Sequence, residues 1–369
     1  MNPNSLSRRE LIGAGAGLLL ANRATAQRAT VAPDTTGTAP ILLGANENPY
    51  GPSSKVRHAI AAAMERCNRY PMRELAELTS AIAAAESVPD DHVLVGLGSM
   101  ELLKICGAVC ALEKQTVMAA SPTYEDLPRA TRRFGGNLVE VPLDPEQRHD
   151  LDAMRNALTQ DTGLVYVCNP NNPTGTVVGR PALAAFIKSL PAAVTTLVDE
   201  AYMDFVTDGA TSSVKDLAIS DANVIVLKTF SKLHGLAGQR IGYAIARPAR
   251  LASLRSARVS LLPQLSIAAA KASLEDQSYL DTCRSRILAE RRRLERYCDQ
   301  AGLPYTVSHG NFLFVQFGAR ETALRQHLKR QGIMVGRPFA ALPGWCRISI
   351  GTAAQMDRLY SALNRVPVA

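Results

Sequence analysis

Between residues 92 and 244 the chain repeats one pattern: a short apolar run, a Gly, Pro, Asn or Asp, then a stretch of helical periodicity. Apolar runs fall at 92–95, 117–120, 138–141, 164–167, 196–198, 224–227 and 241–244. Each is apolar on both faces and too short for a stable helix, so the pattern predicts an α/β domain with a mostly parallel sheet covered on both sides. In such a sheet ligands collect at the carboxyl ends of the strands. After about residue 260 the pattern changes to helices over 265–274 and 279–301, a strand at 312–316, another helix, and short strands near 334 and 347–350. That predicts a smaller α+β domain. The expected organisation is an N-terminal segment at 41–70 packing with the small domain, a large domain at 71–262, and the small domain at 263–369.

Composition excludes several classes. With 47% hydrophobic and 20% charged residues the chain is neither disordered nor built around a bilayer span. The formal charge of +8 is scattered along the chain. Its longest cluster, Arg291-Arg292-Arg293, sits in an amphipathic pattern and reads as a solvated helix face, so no nucleic-acid partner is expected. Seven cysteines without a CxxC pair or metal-ligand spacing read as buried thiols, with no metal.

The first residues read as an address. Ser7-Arg8-Arg9-Glu10-Leu11-Ile12 precedes a glycine-rich apolar run to Ala21 and the cleavage-type sequence Ala24-Thr25-Ala26. This is the form of a twin-arginine signal over 1–26. It implies the twin-arginine export machinery as a partner and a periplasmic or otherwise exported location. Residues 27–40, rich in Thr, Ala and Pro, read as a linker.

Lys232 carries the strongest chemical signal. It follows a buried run, where a lysine has no packing role, and a strand-end amine can condense with an aldehyde to form an imine. Thr229 and Ser231 offer hydroxyls and Arg240 a charged fork, a neighbourhood suited to phosphate. Gly96-Leu97-Gly98 turns the chain tightly, so that the amides of Ser99 and Met100 open a helix whose positive end attracts an anion. Asp199 ends a strand. Asn171-Asn172-Pro173 taken alone reads as a turn, and Tyr124 taken alone as a core tyrosine.

Taken together, the segment Ser231-Lys232 with Arg240-Ile241-Gly242, the loop Asn169-Pro170-Asn171-Asn172-Pro173-Thr174-Gly175, Asp199-Glu200-Ala201-Tyr202 and the glycine turn at 96–98 resemble fold-type I pyridoxal-phosphate aminotransferases over residues 40–355. The N-terminal segment from Leu43 to Ser53, Arg69-Tyr70-Pro71, and Arg347-Ile348-Ser349-Ile350-Gly351-Thr352 are similar to those of histidinol-phosphate aminotransferases. The resemblance implies a seven-stranded, mostly parallel sheet and pyridoxal 5'-phosphate as cofactor. It implies that Lys232 holds the cofactor, Asp199 faces the ring nitrogen, Asn172 and Tyr202 bind the ring oxygen, and Tyr124 stacks on the ring. Gly98, Ser99, Met100, Thr229, Ser231 and Arg240 would hold the phosphate, joined by Tyr70 of a second subunit, which implies a homodimer. Tyr50, Asn172, Arg337 and Arg347 would contact substrate, with Arg347 on the α-carboxylate. The implied reaction moves an amino group between an amino acid, or a histidinol-phosphate-like amine, and a 2-oxo acid. Export argues against a biosynthetic phosphate ester as substrate and for an amino acid. Two other readings stay open on these residues: a decarboxylase of the threonine-phosphate type, and a ligand-binding protein that kept the fold.

Overall fold

The computed structural model describes residues 39–365 apart from 208, 210, 221, 222 and 259, so the signal at 1–26 and most of the linker lie outside the described residues. The chain divides into units 1–40 and 41–369, and every described element lies in the second. It opens with β1 (Ile41–Leu43), α1 (Ser54–Ala63) and α2 (Met72–Glu86), followed by β2 (Val93–Gly96) and α3 (Ser99–Leu112). Then come β3 (Thr116–Ser121), α4 (Asp126–Arg133), β4 (Asn137–Pro142), α5 (Leu151–Asn156), β5 (Thr162–Cys168), α6 (Arg180–Ser189) and β6 (Thr195–Asp199). The sheet is completed by α7 (Lys215–Ser220), β7 (Val224–Thr229) and β8 (Gly242–Ile245), after which α8 (Pro248–Ala257), α9 (Gln264–Leu274) and α10 (Gln277–Gln300) follow. The chain ends with β9 (Phe312–Gln316), α11 (Glu321–Arg330), β10 (Ile333–Val335), β11 (Trp345–Ser349) and α12 (Ala353–Leu363).

Seven strands form one sheet in the order β2-β8-β7-β6-β5-β3-β4. Only β8 runs against its neighbours, so six strands share one direction and their carboxyl ends share one edge. Every residue of β5 and β6 is buried, as expected of strands covered on both faces. One face packs a core with Phe186, Phe230 and Leu78, the other a core with Leu102, Leu103 and Tyr166. A third core surrounds the antiparallel pair β9–β11 and carries Phe312, Leu313, Ile287 and Leu359. Local signals set the helix starts: Ser53 caps α1 by accepting from the Val56 amide, and Thr352 and Gln355 close a capping box at α12.

Three expectations need correction. α1 and α9 pack on each other and join the core of the large sheet through Val56, Ile267, Ala269 and Ala270. Of the 41–70 segment, β1 pairs with β10 and Tyr50 packs on the small-lobe core, and the helices that join the large-sheet core run on to Leu274. Arg291 is not on a solvated face: it is 7% exposed, donates to the Gly310 carbonyl at 2.9 Å and pairs with Glu295. Its long stem is buried while its head is held by that carbonyl and that carboxylate. Six of the seven cysteines are buried free thiols, but Cys67 is exposed.

Candidate active site

The carboxyl ends of β5, β6 and β7 deliver three loops to one cavity of about 470 Å³, and the small lobe and the segment after β1 close it. Ser99, Met100, Tyr124, Asn172, Asp199, Tyr202, Thr229, Ser231, Lys232, Arg240, Arg337 and Arg347 all line it. These are twelve of the residues that the sequence singled out, drawn from positions up to 248 apart in the chain.

Beyond β7 the chain alternates its allegiance. Thr229, Ser231 and Lys232 face the cavity, whereas Phe230 is fully buried in the core beside His234 and Tyr243. Removing the Phe230 ring would cost about 3–5 kcal/mol and loosen the lysine segment. The Lys232 amine donates to the Ala45 carbonyl at 3.1 Å and lies 5.4 Å from the centre of the Tyr202 ring. Burial and the nearby Arg347 charge pull its pKa down to about 8, against the opposing pull of Glu47 and Asp199.

Asp199 is 2% exposed, and burial pushes its carboxyl up to about 6. It accepts from the Ala201 amide at 3.1 Å and from the Tyr166 hydroxyl at 3.2 Å. With no ion pair holding it among the described residues and only the pull of Lys232, such a carboxylate suits a protonated ring nitrogen.

The loop 169–175 uses its three asparagines differently. Asn169 exchanges two hydrogen bonds with the Val178 backbone, and Asn171 is held by Thr123 and the Pro122 carbonyl. Both fix the loop, leaving Asn172 to reach the cavity, where its amide donates to the Tyr202 hydroxyl at 3.1 Å. Asn46 donates to the same oxygen at 3.0 Å. With two donors on its oxygen, the Tyr202 hydroxyl has its proton left to donate.

At the other end, Arg240 donates to the Ala237 carbonyl at 2.8 Å and to Ser231 Oγ at 3.4 Å. Gly98 does not line the cavity but shapes it. Its φ of +76° suits glycine, and a Cβ there would lie 2.5 Å from Arg240 Nη2. Leu97 is pinned by its amide donating to Glu101 at 2.7 Å, so α3 starts with its amides toward the cavity. A guanidinium, two hydroxyls and a helix N-terminus within a cradle that excludes a Cβ fit a phosphate group.

Arg347, on β11, donates to Asn172 Oδ1 at 2.5 Å and to the Gly44 carbonyl at 2.6 Å, while its buried Nε has no hydrogen-bond partner. Burial pulls its pKa down. Arg337 stacks on Phe339 at 4.7 Å and pairs with Glu125 at 2.7 Å. Tyr124 donates to Asp126 at 2.5 Å, and burial raises its pKa.

Two expected residues lie elsewhere. Tyr50 packs on the small-lobe core under Arg286, with its ring 5.4 Å from that guanidinium, and so is not part of the cavity wall. Tyr70 is 82% exposed and away from the cavity of its own chain. Sequence reasoning passed over Asn46, which has a left-handed φ of 53° and binds both Tyr202 and Ser349. An asparagine, one of the few non-glycine residues that tolerate the left-handed region, is the available signal for that conformation.

The fold and the composition of this cavity define a pyridoxal-phosphate-dependent aminotransferase. The chain belongs to the class I and II aminotransferases, whose family model matches residues 38–363. It is 36% identical over 329 residues to a histidinol-phosphate aminotransferase of Geobacillus thermodenitrificans, covering 88% of this chain and 90% of that protein. It is 37% identical over 322 residues to an aromatic amino acid aminotransferase of Mycobacterium avium, covering 86% and 90%. The crystal structure of histidinol-phosphate aminotransferase from Sinorhizobium meliloti in complex with pyridoxal-5'-phosphate matches with a TM-score of 0.81 at 30% identity, covering 89% and 91%.

Proposed function

We propose that this chain is an exported, homodimeric aminotransferase acting on amino acids, with Lys232 as the residue that binds the cofactor covalently and moves the substrate proton. The observation that carries this reading is the convergence of Lys232, Asp199, Asn172, Tyr202, Arg240 and Arg347 on one cavity. When bound, pyridoxal phosphate supplies an aldehyde carbon and a ring that withdraws electrons from the substrate α-carbon.

The chain's residues then divide the work. Arg240, Thr229, Ser231 and the amides of Ser99 and Met100 hold phosphate oxygens. Asp199 would face the ring nitrogen, where its carboxylate would favour the protonated form. The Tyr202 hydroxyl and the Asn172 amide would hold the ring oxygen, and Tyr124 would cover the ring. Arg347 orients the α-carboxylate through a guanidinium already aimed by Asn172 and Gly44. Lys232, with an amine pulled down to about 8, would be unprotonated at mildly alkaline pH and able to take the proton from the substrate α-carbon.

The exposed Tyr70 suits a role across a subunit interface, and Arg8-Arg9 ahead of the apolar run suits twin-arginine export. Replacing both arginines by lysine is expected to retain a folded reporter fused after residue 40 in the cytoplasm. Export of the double variant would remove the location from this reading.

The function is tested by absorbance. The purified protein is expected to show a band near roughly 360–430 nm that a competent amino acid converts to one near roughly 330 nm, with release of the matching 2-oxo acid. Carbon dioxide release without a 2-oxo acid would replace transamination by decarboxylation.

A further inference from the structure

At the outer end of the cavity, Arg337 is already engaged. Its Nη2 lies 2.7 Å from Glu125 Oε2, and its guanidinium stacks on Phe339. Glu125 immediately follows Tyr124 and sits at the start of α4, where Arg129, one turn on, also pairs with Oε2. That second pair ties Glu125 to its own helix. The oxygen is buried between two guanidinium groups and accepts no hydrogen bond. Glu47 adds another carboxylate to the cavity wall.

Of these groups Arg337 and Glu47 line the cavity, while Glu125 reaches Arg337 from α4, with Arg129 on its other side and largely in solvent. Arg347 lies on the other contact of the Phe339 ring, 5.7 Å from its centre, and is committed to the α-carboxylate in the reading above. An anionic side chain entering next to Arg337 would have to compete with Glu125, whereas a neutral, flat side chain meets Phe339 and an ion pair that needs no disruption. Discrimination by an opposed charge is as effective as discrimination by added contacts.

We propose that Glu125 sets the side-chain preference of the site by holding Arg337, directing the enzyme to amino acids and 2-oxo acids with neutral side chains and away from carboxylate or phosphomonoester side chains. This rests on the reading that Arg347 binds the α-carboxylate.

The test uses unreactive carboxylates on the full-length holoenzyme, followed by calorimetric titration: 3-phenylpropionate, with a neutral tail, and glutarate, with a second carboxylate. Wild type is expected to favour 3-phenylpropionate, and Glu125→Gln to shift the ratio of dissociation constants toward glutarate by about tenfold, as loss of one opposed charge at a partly solvated rim allows. Adding Arg337→Gln to Glu125→Gln is expected to abolish that shift, which ties the effect to the pair and not to altered folding. A ratio that stays put in Glu125→Gln, or a wild type that prefers glutarate, would overturn the proposal while leaving transamination intact. Failure of both ligands to bind wild type, with Arg347→Ala no different, would overturn the carboxylate role of Arg347 and the proposal with it.

Discussion

Arg347 and Asn172, 175 positions apart, are joined by a 2.5 Å hydrogen bond from guanidinium to side-chain oxygen. The bond couples the small lobe's β11 to the loop that follows β5 of the large sheet. Asn172 in turn donates to Tyr202, so one asparagine links Arg347 to a phenol on the cavity wall. Lysine in place of Arg347 keeps the charge but cannot hold Asn172, Gly44 and a carboxylate together. Arg347→Lys is expected to lower kcat/KM for the preferred amino acid by about a hundredfold, measured in steady-state kinetics. A loss below threefold would mean that the carboxylate is bound elsewhere.

Gly98 is held at a φ of +76° with Arg240 Nη2 where a Cβ would sit. Gly98→Ala is expected to destabilise the protein by about 1–3 kcal/mol through backbone strain and to displace Arg240 from the phosphate cradle. Retention of pyridoxal phosphate in equilibrium dialysis should weaken by at least about tenfold. Unaltered retention would separate Gly98 and Arg240 from phosphate binding.

Burial raises the Asp199 carboxyl to about 6, against an ordinary 3.8. A folded-state value above the unfolded one means that stability of the cofactor-free protein falls as pH rises through that window, and the penalty is complete at pH 7. Asp199→Asn is therefore expected to stabilise the cofactor-free protein at pH 7 by an amount on the order of 3 kcal/mol, read as a higher melting temperature, with the gain shrinking toward pH 4. The same variant should lose activity, since an amide cannot keep the ring nitrogen charged. Lower stability at pH 7 would contradict the isolated-carboxylate account.

Behind the site, Glu86 has the opposite behaviour. Burial would raise its pKa, but Lys228 at 2.8 Å, with Tyr243 and Lys215, overrides this and holds it down to about 2. The stabilisation is fully present above the ordinary value of 4.5 and is lost as pH falls toward 2. Glu86→Gln strands Lys228 in the interior and is expected to destabilise by about 3–5 kcal/mol at pH 7, with the difference from wild type narrowing in acid melts below pH 4.5. A difference that does not change with pH would point to packing and not charge.

The sequence made the sheet legible because strands buried on both faces, such as β5 and β6, leave unbroken apolar runs that end on the residues of the site. Lys232 and Asp199 stand at the ends of such runs, whereas Asn172, in a loop that alone reads as a turn, was legible only through the resemblance of its segment. What periodicity does not carry is which core a helix joins. The apolar stripe of α9 fits either lobe, and only the approach of α1 assigns it to the large one. Nor does periodicity say that Arg291 turns inward while its neighbours do not, since that depends on the Gly310 carbonyl 19 residues away. Tyr50 and Asn46 lie four residues apart in one segment, and the left-handed turn at Asn46 decides which of them meets the cavity.

Borohydride reduction of the purified, cofactor-loaded protein followed by peptide mass mapping tests the central claim most directly. A phosphopyridoxyl adduct is predicted on the peptide containing Lys232, and no adduct in Lys232→Ala. An adduct on another lysine, or one that persists in Lys232→Ala, would contradict the assignment of the cavity as the site of amino-group transfer.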